Sequence, residues 1–273
     1  MIRLLETKIK RFYIHVGFYE YIKDRISFSN EVSLFTDYTQ LHGQISFMLS
    51  IGGDGTLLDT LTYIRDSKIP VIGINTGSLG FLSAISTEQM HPALEALLSG
   101  NYTLDQRSLL EVDTGQNNLF ASFPYALNEV TVAKRDTSTL ISISAWVNGQ
   151  FLNTYWADGL MVATPTGSTG YSLSCGGPII SPDSENFIIT PIATHNLTVR
   201  PIVIKDDSII TLKVEGRNQN HLIVLDSRSA PMEATINLTI KKADFKINLV
   251  KIENTDFYKT IRNKLAWGLD KRN

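Results

Sequence analysis

The residues best suited to chemistry form the run Gly52-Gly53-Asp54-Gly55-Thr56, between the apolar stretch 47–51 and a stretch with Leu57, Leu58, Leu61 and Ile64 on one helical face. A strand that ends in such a turn and opens a helix presents bare backbone N–H groups at a helix N-terminus, where the partial positive charge favours a phosphate. Glycine lets the phosphate come close. The run lacks both the G-x-G-x-x-G spacing and the Lys-Ser/Thr pair of a P-loop, so the expected phosphate contacts are backbone groups and a divalent cation. Asp54 can accept or orient the proton of an attacking hydroxyl, as an aspartate does in protein kinases. The competing reading is structural: Asp is a favoured N-cap, and Asp54 could cap a helix that begins near Thr56.

A second constellation runs from Asp158 to Tyr171, where six side chains (Asp158, Thr164, Thr166, Ser168, Thr169 and Tyr171) carry a carboxylate or a hydroxyl. Residues 160–163 read as a buried strand, 164–168 as a hydroxyl-rich turn, and 169–174 as a short helix. That turn can hold ribose hydroxyls, phosphate or an amide. A capped helix start explains the same residues without a ligand. Asn128-Glu129 lies between the apolar segments 123–127 and 130–133, where two consecutive polar side chains need partners if buried. A bound ligand or a solvent-facing strand edge would serve.

The elements that must position these residues change character along the chain. The first hundred residues alternate short apolar runs with helical patterns, as βαβ units of a mostly parallel sheet do. Residues 70–74 read as a strand, 75–80 as a glycine-punctuated loop, and 87–99 as a helix closed by Gly100. Beyond Gly100 the period shortens: residues 140–147 alternate apolar with serine ahead of Asn148-Gly149, a type I′ hairpin signal. Further short strands are expected at 109–112, 209–214, 221–225 and 234–240, and a helix at 257–269. The expected domains are 1–100 (α/β), 101–256 (β-sandwich) and 257–273, a helix packing back on the first.

The chain has 273 residues, 43% of them hydrophobic, with 25 basic against 27 acidic side chains. That balance gives no basic surface for nucleic acid or anionic lipid. Cys175 is the only cysteine, the start is charged rather than apolar, and no stretch approaches a bilayer span; the expectation is a cytoplasmic protein with no membrane and no nucleic-acid partner. Cys175 reads as a small buried side chain. His15, His42, His91, His195 and His221 form no i, i+4 pair and read as surface or loop residues, with no protein metal cage expected.

GGDGT at 52–56, GINTGSLGFL at 73–82, NE at 128–129, DGLMVATPTGSTGYSLSCGGP at 158–178 and TPIATHNLTVRPIVI at 190–204 together resemble the NAD kinase family in order and spacing. The resemblance implies a Rossmann-like N-terminal α/β domain followed by a β-sandwich C-terminal domain, with NAD in the cleft between them. It implies transfer of the γ-phosphoryl group of ATP, or of polyphosphate, to the adenosine 2′-hydroxyl of NAD, and a homodimer or homotetramer. Mg²⁺, or another divalent cation, would accompany ATP. By the same resemblance Asp54 is the proton acceptor, and Gly53, Gly55 and Thr56 lie against phosphates. Asn128 and Glu129 bind the adenosine and ribose parts, Asp158 contacts the nicotinamide side, and Thr166 with Thr169, Gly170, Tyr171, Ser172, Leu173 and Ser174 line the adenine and ribose pocket. Ala193 approaches through its backbone and Phe81 closes the pocket.

Three features depart from the family pattern. Gly170 stands where alanine is usual, Asp226-Ser227-Arg228 replaces Asp-Gly-Gln, and the region before GGDGT is short. No role carries over to 226–228. Two rivals share the glycine turn: a lipid kinase, which would want a basic or apolar membrane-facing stretch, and a non-catalytic NAD-binding protein, which has no use for Asp54.

Overall fold

The computed structural model describes the chain apart from residues 42, 44, 78, 79, 84, 116–118, 121, 136–139, 216–219, 234–236, 253–255 and 268–273. His42, Ser78 and Leu79 of the GINTGSLGFL loop, the start of the strand expected at 234 and the end of the helix expected at 269 lie outside the described residues. The chain divides into two compact units, residues 1–105 with 247–273, and residues 106–246.

The first unit runs α1 (Ile2–Glu6), β1 (Arg11–His15), α2 (Val16–Ile22), β2 (Glu31–Phe35), β3 (Met48–Gly52), α3 (Asp54–Ile64), β4 (Val71–Asn75), β5 (Ile85–Ser86) and α4 (Met90–Ser99). β1 pairs with β2 in parallel, and β3 pairs in parallel with β4. Every residue of β4 is buried, which parallel strands require when helices cover both faces. Leu5, Ile72, Ile85, Ala93, Leu94 and Leu97 form the core here. Helix α4 ends at Gly100 with φ 80°, the left-handed cap that glycine adopts without strain.

The helix after the glycine turn begins at Asp54, two residues before the expected start. Its N-cap is Gly53, so Asp54 is not the cap. The carboxylate is thereby free to reach elsewhere.

The second unit adds β6 (Thr103–Asp113), β7 (Tyr125–Ala126), β8 (Glu129–Lys134), β9 (Ile141–Val147), β10 (Gln150–Ala157), β11 (Gly159–Ala163), α5 (Tyr171–Ser174), β12 (Asn186–Ile192), β13 (Ile202–Lys205), β14 (Ile210–Glu215), β15 (Asn220–Leu225), β16 (Arg228–Glu233) and β17 (Asn237–Lys251). β10-β9-β14-β17 form one antiparallel layer and β13-β12-β11-β8-β15-β16 the other. The inward residues Ile143, Ala145, Leu212, Val214 and Ile240 of one layer meet Val132, Val162, Phe187 and Ile223 of the other. This is a sandwich with its core between two sheets. Asn148 and Gly149 have φ 50° and 77°, as the type I′ turn between β9 and β10 demands.

The last five residues of β17 belong to the first unit, where Leu249 pairs with Val71 in parallel. The return thus begins inside a strand at Ile247, ahead of α6 (Phe257–Leu265). Two histidines are not surface or loop residues: His221 is buried within β15, and His15 ends β1 and caps α2 by accepting from Gly17 N–H. Both were misread because a lone polar letter in an apolar strand carries no periodic signal of burial.

Phe187 is fully buried between the layers. Phe187→Ala is expected to destabilise the second unit by about 3–5 kcal/mol, measured as a lower denaturant midpoint in the fluorescence of Trp146 and Trp156.

Candidate functional site

In the first unit, the Asp54 carboxylate accepts three consecutive backbone N–H groups: Phe81 at 2.8 Å, Leu82 at 3.1 Å and Ser83 at 2.9 Å. A carboxylate offers about four lone-pair positions, so one acceptor site is left. Gly80 makes the approach possible, because a Cβ there would sit 1.8 Å from Asp54 Oδ1. Gly52, at φ 156°, passes so close to Thr56 that a Cβ would lie 2.3 Å from its Oγ1. Gly53, Gly55 and Thr56 are exposed, in the first turn where backbone N–H groups have no intrahelical acceptor. Phe81 is half-buried, with Lys264 Nζ 5.3 Å from its ring centre.

The second unit brings Asn128, Glu129 and the 164–174 segment together. Antiparallel pairing of β8 with β11 sets Glu129 opposite Ala163, and Thr164 N–H donates to Asn128 O at 2.9 Å. Gly167 crosses Asn128 so closely that a Cβ would be 2.1 Å from its carbonyl oxygen. A Cβ on Gly170 would meet Glu129 Oε2 at 3.0 Å, so the glycine that departs from the family's alanine opens space beside that carboxyl.

The hydroxyls divide by destination. Thr164 donates to Leu127 O and accepts from Gly167 N–H; Ser168 exchanges hydrogen bonds with Ile180 backbone; Ser172 bonds Thr190, and all three are fully buried. Thr166, also buried, accepts from Arg107 at 3.2 Å. The Ser172 hydroxyl is thus engaged within the fold by Thr190. Tyr171 is 49% exposed and Ser174 is exposed, while Thr169, Gly170 and Leu173 are half-buried.

Asp158 pairs with Lys134 at 2.6 Å. Ala193 follows β12, exposed, at φ 46°, a region sparsely used by non-glycine residues. The Cys175 thiol is only half-buried, and burial, with the nearby Glu129 charge, pushes it up against an opposing hydrogen bond from Tyr171, away from the thiolate a nucleophile needs.

Asp226, to which the sequence reading assigned no role, organises the backbone beside Asn128 and Glu129. Its carboxylate accepts N–H from Leu127 at 2.8 Å, Asn128 at 2.8 Å and Glu129 at 3.1 Å, and its own N–H donates back to Glu129 O. Arg228 donates to the carbonyls of Phe123 and Tyr125, with its guanidinium 5.0 Å from the Phe123 ring centre. The available signal was Asp at a two-residue turn between strands 221–225 and 228–233, where φ 53° is tolerated.

Glu129 Oε2 is enclosed and finds no hydrogen-bond partner among the described residues. Burial first, then the nearby Asp226, pushes the Glu129 carboxyl up to about 8. Burial raises Asp226 as well, opposed by its three N–H donors and Arg228; with those partners, Asp226 is the member of the pair that holds the charge. Glu129 is then a neutral hydrogen-bond donor at pH 7. An unfolded chain loses that proton near pH 4.5, whereas the native state keeps it to about 8. The Glu129 contribution to stability is thus whole below pH 4.5 and falls as pH rises toward about 8. Carbon-13 NMR of the Glu129 carboxyl should show its midpoint near 8, and Asp226→Asn should move that midpoint down, because it removes the neighbouring negative charge.

Residues 22–102 match the family model described as ATP-NAD kinase N-terminal domain, and residues 127–252 match the ATP-NAD kinase C-terminal domain. A relative from Cytophaga hutchinsonii called NAD kinase is 49% identical over 270 residues, covering 98% of this chain and 92% of that protein. A second NAD kinase, from Christiangramia forsetii, is 43% identical, covering 100% and 93%. Among solved structures, yeast NADH kinase complexed with NADH superposes with a TM-score of 0.88 at 22% identity, over 98% of this chain and 82% of that one; at that identity the likeness speaks for the fold. An NAD kinase from Archaeoglobus fulgidus in complex with ATP gives 0.74 at 26% identity, over 94% and 98%. Two matching domain models in sequence order, and relatives that similar over nearly their whole length, place the chain in the NAD kinase family.

Proposed function

We propose that this chain transfers the γ-phosphoryl group of ATP to the adenosine 2′-hydroxyl of NAD, forming NADP. The observation that carries the reading is the seat of Asp54: a carboxylate at the first position of a helix, fixed by three N–H donors, beside an exposed glycine turn. Phosphoryl transfer asks a protein mainly for alignment and for relief of negative charge. The three donors fix the carboxylate's position, and its remaining lone pair accepts the hydrogen of the attacking hydroxyl. The first-turn N–H groups at Gly53, Gly55 and Thr56 supply the anion-facing dipole end.

Among the described residues no three His, Cys, Asp or Glu side chains come together as a metal site. A divalent cation, Mg²⁺ by preference, would be held by the oxygens of the triphosphate it accompanies. Neutral Glu129 and Asn128 offer hydrogen bonds to the hydroxyl and amide groups of NAD, and Asp158 with Tyr171 and Ser174 borders the same ligand.

The rival lipid kinase would need a membrane-facing element. Among the described residues no helix is long and apolar enough to cross a membrane, and basic and acidic side chains are nearly balanced, 25 against 27. A lone cysteine fits the cytoplasm. Assembly as a homo-oligomer is supported by the exposed aromatics Phe151 and Trp156 on the β9–β10 hairpin, 60% and 55% exposed.

Purified protein incubated with NAD, ATP and Mg²⁺ should yield NADP, read with an NADP-specific dehydrogenase. Asp54→Asn should lower the rate by about 10²–10⁴-fold. No NADP from folded wild-type protein, with polyphosphate also tried as donor, sinks the kinase reading and leaves a binding protein. Gly80→Ala, which drives a methyl group into the Asp54 carboxylate, should depress turnover without abolishing NAD binding, measured by comparing kcat with the NAD Kd.

A further inference from the structure

Lys134 ends β8, and Asp158 directly precedes β11 in the same sheet. Lys134 N–H donates to Asp158 O at 2.9 Å, Asp158 N–H donates to Ile192 O at 2.9 Å, and Gly159 pairs with Ala133 on one side and Ile192 on the other. The ladder therefore fixes where both side chains start. Their charged ends meet at 2.6 Å, with 21% of the Lys134 side chain and 35% of the Asp158 side chain exposed. Glu129 stands at the other end of β11, opposite Ala163, about 16 Å of strand away. Tyr171 feels both ends: burial first, then the Cys175 thiol, and then the Asp158 and Glu129 charges push its phenol up. Of the acidic groups facing Tyr171, Glu129 keeps its proton to about 8 and burial pushes the Cys175 thiol up. The Asp158 carboxylate is left as the negative charge there, and the Lys134 ammonium cancels it.

We propose that Lys134 sets the redox selectivity of this site: by cancelling the Asp158 charge, it lets NADH occupy the site alongside NAD. The inference rests on the proposed function, in which Asp158 borders the nicotinamide side of the ligand. The oxidised nicotinamide ring carries a permanent positive charge, and the dihydro ring of NADH carries none. A bare carboxylate beside that ring would favour NAD through charge alone. A carboxylate already matched by an ammonium at hydrogen-bond distance has no such preference, because the fields of the two opposite charges largely offset one another at the ring. Selectivity is a difference between two affinities, so a residue that touches neither ring can still decide it. An arginine at 134 would preserve the balance, and an apolar side chain of the same length would remove it.

The test titrates both ligands onto the whole protein without ATP, NADH through its own fluorescence and NAD through displacement of NADH. In Lys134→Met the ratio of the NADH Kd to the NAD Kd should rise at least about three-fold over wild type. Lys134→Arg should keep the wild-type ratio, and Asp158→Asn, which leaves the ammonium unmatched, should move it the other way. A wild type that takes NAD and excludes NADH overturns the proposal. So does an unchanged ratio in Lys134→Met, since an ion pair that only supports the fold would weaken both ligands alike. If Lys134→Met does not fold, the sign of the Asp158→Asn shift decides. Turnover with ATP and Mg²⁺ is read separately: protein that shows the expected binding ratios yet phosphorylates neither form sinks the kinase reading and leaves the role of Lys134 standing. Phosphorylation of NAD with ratios that do not respond to position 134 does the reverse.

Discussion

Both units rest on the same interaction, a carboxylate that collects three consecutive backbone N–H groups from a distant loop. Asp54 gathers residues 81–83, and Asp226 gathers residues 127–129. A hydrogen bond to a charged group contributes about 1.5–3 kcal/mol, and three that share one acceptor define the path of backbone outside a ladder, as at 81–83, or entering one, as at 127–129. The cost of losing the acceptor exceeds the bonds themselves, because three donors would be left without a partner. Irregular backbone can therefore be held as firmly as a strand, and the functional side chains can be carried on it.

The electrostatics of the second unit follow from that arrangement. To seat residues 127–129, Asp226 must come close to the Glu129 backbone, which also brings negative charge near the Glu129 side chain. Enclosed and facing that charge, Glu129 keeps its proton, and its carboxyl rises to about 8. Burial first, and then the charge of the positioning carboxylate, thus turn Glu129 from an acceptor into a donor. Two acidic residues that read alike in sequence end with opposite hydrogen-bonding roles, decided by who holds the N–H groups.

How much of this was legible in sequence depended on range. The glycine turn, the strand before it, the helix after it and the Asn148-Gly149 hairpin were readable because each is set by residues within one turn or one strand. The division into an α/β part and a β-sandwich followed from a change of period near Gly100. Asp226 was not readable, since its partners lie about a hundred positions away and only the folded sheet brings β8 beside β15. The burial of His221 was hidden for the same reason, and the N-cap reading of Asp54 gave way to a loop 27 to 29 residues downstream. Local chemistry names candidate residues; strand order decides what they touch.

The hydroxyl-rich run 164–174 makes the same point about chemistry. Its composition suggests a ligand surface throughout, yet the structure turns the hydroxyls of Thr164, Ser168 and Ser172 inward to bond Leu127, Ile180 and Thr190. Those bonds satisfy polar groups that would otherwise be buried unpaired, and they fix a tight turn that Gly167 allows to lie against Asn128. Rigid support from beneath is what leaves Tyr171 and Ser174 facing outward in one arrangement. A binding surface needs such a second layer, because a loop free to rearrange would lose in ordering entropy what its contacts gain. Sequence displays both layers in one string, and only the fold separates the hydroxyls that hold the loop from those left exposed.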